Sequence, residues 1–185
     1  MSPENWGQLV TALLAATAVA AVFAWTRTGR DVWTPAALLL LAAAGGVSAT
    51  PADIDSGARA TTALLVVLGA AAAVLGGGPV TARLFALVDR PRADGSTTTT
   101  QGAGSVLRGG TWIGVLERAA VYASLVAGWP EGIAVVLAVK AFGRYPELRA
   151  AEDGVRTGAA ERFIIGTFAS VLWAGACAAV VVLAR

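Results

Sequence analysis

Long runs of Ala, Leu, Val and Gly, broken by short stretches that hold nearly all the Arg, Asp and Glu, constrain this chain more than any other feature. A helix needs about 20 apolar residues to cross the roughly 30 Å hydrocarbon core of a bilayer, and several of these runs approach that length. A soluble domain built from such blocks would present them to water and aggregate. Composition agrees: 56% of the 185 residues are hydrophobic and 14% are charged, against about 25% charged in an ordinary soluble domain. The expected fold is therefore all-α, a polytopic helical bundle forming a single membrane domain over residues 1–185. The lipid bilayer is its first partner. A net charge of +2, with Arg spread over loops, argues against a nucleic-acid partner and suits basic loops beside anionic headgroups.

Absent residue types narrow the chemistry. The chain has no His and one Cys, so a Cys/His zinc site, His-ligated haem, a disulfide within the chain and His-based proton transfer are all excluded. No metal site and no cofactor are expected. Cys177, inside an apolar run, reads as a packing residue.

Six spans can be traced. The first covers about Gln8 to Trp25; Glu4 before it and Arg27 and Arg30 after it, with no small-residue cleavage site, make it a retained span rather than a signal peptide. The second covers about Val32 to Thr50 and ends at the polar turn PADIDSGAR. The third, about Ala60 to Gly76, is expected to stop at Gly76, Gly77, Gly78 and Pro79. Residues 79–89 then read as a short amphipathic helix at the membrane surface, or as a continuation after a kink. Residues 90–108 form a mobile cytoplasmic loop that separates the first three spans (1–89) from the last three (109–185). The fourth span covers about Gly109 to Gly128, the fifth about Pro130 to Tyr145 and the sixth about Ala160 to Ala184. The apolar centre of the fifth, IAVVLAV, is short. It crosses only if Lys140 and Arg144 belong to the embedded helix, and is otherwise re-entrant.

Charge supports this count. With both termini extracytoplasmic, eleven of the fourteen basic residues fall on the inner side, Arg59 and Arg185 on the outer side and Arg118 within the membrane, which matches the positive-inside rule. Trp6, Trp25, Trp33, Trp112 and Trp129 fall at span ends and read as interfacial anchors.

Chemistry is expected in the second half. Glu117 lies about 13 Å into its helix if that helix starts at Arg108, and inserting a charge near a helix centre costs about 2.5–3.5 kcal/mol unless a partner or a water-filled cavity offsets it. Gly110, Gly114, Glu117, Val121, Ser124 and Gly128 share one face, where small residues let another helix approach; Gly110 and Gly114 form a GxxxG pair suited to a homodimer contact. Arg118, about 100° around, should meet a different neighbour. Lys140, Arg144 and Glu147 follow one another on a face of the fifth span. Glu161 and Arg162 open the sixth, where Gly166 and Ser170 share a face and Thr167 adds a hydroxyl. A site lined by Glu117, Arg118, Lys140, Arg144 and Glu161 would hold both signs of charge and suit either internal pairing or an anionic headgroup. The plainer alternative is that these charges only lock helices together or snorkel to the headgroups.

The string TWIGVLERAAVYASLVAGWPEGIAVVLAVKAFGRYPELR, followed by ERFIIGTFAS, carries IGxLER, AxK, RxPEL and E..IGTxxS elements over roughly the last 75 residues. In these it resembles small bacterial multi-span membrane proteins of uncharacterised function. The resemblance implies a multi-pass protein of the bacterial cytoplasmic membrane and marks Glu117, Arg118, Lys140, Arg144, Glu147 and Glu161 without giving them roles. Three functions stay open: a transporter or channel component with Glu117 as coupling or ion-binding carboxylate; a protein that binds an anionic lipid or lipid phosphate; and a structural subunit of a membrane complex. Binding is favoured over catalysis, because no nucleophile constellation or paired-Asp metal motif is present.

Overall fold

The structure, a computed structural model, describes residues 3–26, 28–50, 59–89, 110–150 and 153–185; the side chains of residues 3, 110, 147–150 and 153–157 lie outside that description. The described residues form helices α1 (Pro3–Phe23), α2 (Arg30–Ser48), α3 (Arg59–Val88), α4 (Gly110–Val126), α5 (Gly132–Ala150) and α6 (Asp153–Leu183), with no strand among them. Four are long and apolar enough to cross a membrane: α1, α2, α3 and the Gly158–Leu183 part of α6. The expected loop 90–108, Arg108, and the PADIDSGAR turn as far as Gly57 and Ala58 lie outside the described residues.

α3 and α6 pack together along the centre, with α1 and α2 on one side and α4 on the other, and α5 leans mainly on α4. Small residues set this closeness. Ala44, Ala72, Ala73, Ala174 and Ala178 are fully buried and let helix backbones approach, so that Val10, Leu14, Leu65, Val121, Cys177 and Val181 close into a solid apolar core. This core draws on the middle of α1 and α2, the first half of α3 and the second half of α4 and α6. One end of the bundle collects the charges.

The expected stop at the glycine triplet is overturned, because α3 runs unbroken through Pro79 for 30 residues, about 45 Å. Residues 79–88 are thus its C-terminal part and not a separate surface helix. Two facts explain why the helix survives. Pro79 has no N–H for the carbonyl of Leu75, one turn earlier, and the indole Nε1 of Trp25 donates to that oxygen instead, at 2.9 Å. The three glycines form a floor for large side chains: a Cβ at Gly76 would strike the Trp173 ring, one at Gly77 the Arg118 side chain and one at Gly78 the Trp25 ring. Trp25 is therefore a helix partner as well as a span-end residue. Trp173, absent from the expected anchors, is buried and donates from Nε1 to the Ala72 carbonyl at 2.9 Å.

The fifth segment is one helix of 19 residues that includes Lys140, Arg144 and Pro146, and it is not among the four long and apolar enough to cross a membrane. Gly128, expected from its spacing to pack against a helix, does not. It is exposed at φ 75°, with nothing near its would-be Cβ. Together with the Trp129 N–H to Ser124 carbonyl bond of 2.8 Å, it ends α4 in a Schellman turn. Two ion pairs tie the charged end together. Arg83 of α3 meets Asp31 of α2 at 2.5 Å, and Arg162 of α6 meets Asp89, just past α3, at 2.7 Å.

Candidate functional site

α4 presents two adjacent opposite charges to different neighbours, as one residue step of about 100° requires. Arg118 turns inward. It is 5% exposed, crosses the bare backbone of Gly77, and donates from Nε to the Val74 carbonyl of α3 at 3.0 Å. Its Nη1 reaches Ser170 of α6 at 3.4 Å. Gly114, one turn back on α4, lies directly beneath the guanidinium. Glu117 turns to α5, where Lys140 donates to its Oε2. The other oxygen, Oε1, is buried with no hydrogen-bond partner, so the carboxylate is only half satisfied.

These groups line a cavity of about 530 Å³ at the charged end of the bundle, within the range of about 300–1,000 Å³ typical of ligand pockets. The segment after α1 and each of the other five helices contribute. Trp25 follows α1 and Arg30 opens α2; Pro79, Thr81 and Phe85 come from α3; Thr111, Gly114, Glu117 and Arg118 come from the first half of α4. Lys140 and Arg144 come from α5, and Arg162, Phe163, Gly166, Thr167 and Ser170 from α6. Five cations, Arg30, Arg118, Lys140, Arg144 and Arg162, thus surround one carboxylate, Glu117. The aromatic walls hold some of them by their faces: the Arg162 guanidinium lies 4.1 Å from the Phe85 ring centroid, and Lys140 Nζ lies 5.8 Å from that of Phe163.

Two further polar atoms of lining residues have no hydrogen-bond partner. Thr167 is 9% exposed and its Oγ1 has no hydrogen bond; Arg30 Nε is likewise buried and unpartnered. Buried polar groups are ordinarily satisfied, so these two are costly where they stand.

Of the residues marked in the sequence, Glu117, Arg118, Lys140, Arg144, Arg162, Thr167, Ser170, Gly114 and Gly166 meet at this cavity. Gly166 lets Phe85 and Thr81 of α3 come close to α6. Glu161 does not take part: it is exposed and outside the lining, because Arg162, the next residue around the helix, takes the inward position. The Glu147 side chain and Gly110 lie outside the described side chains. Arg30, Trp25 and Phe85 were not anticipated as site residues. The only signal for Arg30 was its place among the inner-side cations, which puts it at the correct end of the bundle without aiming it inward.

The arrangement suits recognition of an oxyanion by charge-assisted hydrogen bonds from Arg and Lys, with a neutral hydroxyl beside them. Among the described residues no group of three or more Cys, Asp or Glu could hold a metal ion. No protein-family model, curated protein or solved structure matches the chain, and its function has to be read from the cavity itself.

Proposed function

We propose that the chain is a protein of the bacterial cytoplasmic membrane, crossing it six times with both termini extracytoplasmic, whose cavity at the cytoplasmic end binds a tetrahedral oxyanion borne by a small solute or a lipid headgroup. The observation that carries this reading is the charge of the cavity wall: five cations against one carboxylate, around a space large enough for more than a bare ion. Arg162 is answered by Asp89 and Lys140 by Glu117, while Arg30 and Arg118 bring charge to the wall that no further carboxylate of the lining matches. In this reading α4, 17 residues and about 25 Å long, and α5 both cross, and the one-sided distribution of Arg and Lys sets the orientation. A site of this kind, open to one side beside the proline of a central helix, is what a transporter or channel component requires.

Isothermal titration of sulfate into the full chain, purified in an uncharged detergent at low salt, tests it. Saturable binding is expected, weakened about tenfold or more in Arg144→Gln, which loses a charged donor, and several-fold in Thr167→Val, which keeps the shape and loses the hydroxyl. Native mass spectrometry separates the two sources. Retained anionic phospholipid points to a headgroup, and sulfate binding without retained lipid points to a solute. If neither sulfate nor anionic lipid binds, the second reading stands, in which the charges serve helix packing; the contact of Lys140 with Glu117 and the hold of Arg118 on the Val74 carbonyl favour it.

A further inference from the structure

The cavity contains one anion of its own, and its position has a consequence for the ligand. We infer that the Glu117 carboxylate is a tethered competitor: it occupies on Lys140 the place that the ligand oxyanion takes, and it exchanges with the ligand as the ligand enters and leaves. This rests on the oxyanion reading above.

Three observations support the exchange. Among the described residues Lys140 is the one cation in contact with Glu117, and both side chains line the cavity, 16% and 11% exposed. They are neither sealed away from it nor free in solvent. The contact is incomplete, because Glu117 Oε1 is buried without a partner, whereas a durable buried ion pair needs its remaining lone pairs satisfied. The neighbouring cations offer the displaced carboxylate somewhere to go. Arg30 enters the lining from α2, and Arg118 adjoins Glu117 on α4. A carboxylate swung off Lys140 therefore stays among positive charges.

The arrangement solves a problem that any releasable anion site in a membrane meets. A lysine with no counter-ion in a low-dielectric wall is costly, so a site that loses its ligand needs a substitute charge at hand. Glu117 supplies it. The ammonium of Lys140 then has a carboxylate partner when the site is empty and an oxyanion partner when it is full. Tight binding is given up in return, since apparent affinity is reduced by the fraction of time that Lys140 is occupied by its own carboxylate.

The inference predicts a gain of affinity on removing a residue from the site. Sulfate titrated into Glu117→Gln is expected to bind about tenfold more tightly than into wild type, and to dissociate more slowly. Glu117→Asp keeps the charge but draws it back by one methylene, and should give a smaller gain. In a Lys140→Gln background the gain from Glu117→Gln should vanish, because there is no ammonium left to compete for. If a lipid headgroup is the ligand, native mass spectrometry should show the same ranking in retained anionic phospholipid; if the ligand is a solute, the ranking appears in sulfate affinity alone. Wild type that binds sulfate while both Glu117 variants bind it equally or more weakly would overturn the exchange and leave the oxyanion site standing. Absence of binding in every form would overturn both.

Discussion

Lys140→Met is expected to destabilise the folded chain by about 2 kcal/mol, and the double variant Lys140→Met/Glu117→Gln to recover most of that loss. The single change leaves Glu117 in a largely enclosed wall with no ammonium against it, and breaking a buried pair from one side costs about 3–5 kcal/mol. The lower figure applies because the pair is partly open to the cavity and four other cations remain around it. Removing both charges leaves no orphan. Equilibrium unfolding in mixed micelles, followed by intrinsic fluorescence, gives the four corners of the cycle. A double variant as unstable as the Lys140 single variant would show that Glu117 and Lys140 do not act as a pair, and would remove the geometric basis of the exchange as well.

Gly76→Ala is expected to be more damaging, at about 3 kcal/mol. One added methyl would overlap the ring of Trp173, a side chain 4% exposed and tied through Nε1 to the Ala72 carbonyl. A rigid indole cannot yield as a flexible chain can, so the helices must part or the hydrogen bond must break; overpacking costs about 1–3 kcal/mol and the lost bond about 1 more. Gly46→Ala is the control. Gly46 is exposed on α2 with open space around its would-be Cβ, and the same substitution there should stabilise by up to about 1 kcal/mol through helix propensity. Thermal unfolding of the two variants should therefore shift in opposite directions. Equal shifts would mean that the glycine floor of α3 does not hold Trp173.

How much of this was legible beforehand follows from what each signal measures. Hydrophobic runs report burial in lipid or protein, and they placed α1, α2 and the apolar part of α6 to within a few residues. They could not report that α3 continues, because GGGP is a stop by local propensity alone. The Trp25 indole that replaces the missing Pro79 hydrogen bond lies 50 residues away, and so does not appear in any local pattern. Gly128 illustrates the converse: its seven- and four-residue spacing matched a packing face, while the backbone used it to end α4. For the site, charge deep in an apolar run singles out Glu117 and Arg118, and helical spacing sends them to different neighbours, Lys140 for the one and the Val74 carbonyl for the other. Which of two adjacent residues faces inward, Glu161 or Arg162, depends on the rotation of α6 against α3, and that is set by Gly166 under Phe85 and by Asp89. Arg30 is brought in by the packing of α2 on α1 and α6, and only tertiary contact could show it.

The central claim, an oxyanion site at the basic end of the bundle, is tested most directly by locating the anion. Selenate has the geometry of sulfate and scatters anomalously, and the structure of the full chain with selenate at saturating concentration should show one anomalous peak in the cavity. That peak is expected within hydrogen-bonding distance of Thr167 Oγ1 and Lys140 Nζ, with the Glu117 carboxylate turned off Lys140. A cavity without the peak, with Lys140 still on Glu117 at the same selenate concentration, would contradict the account.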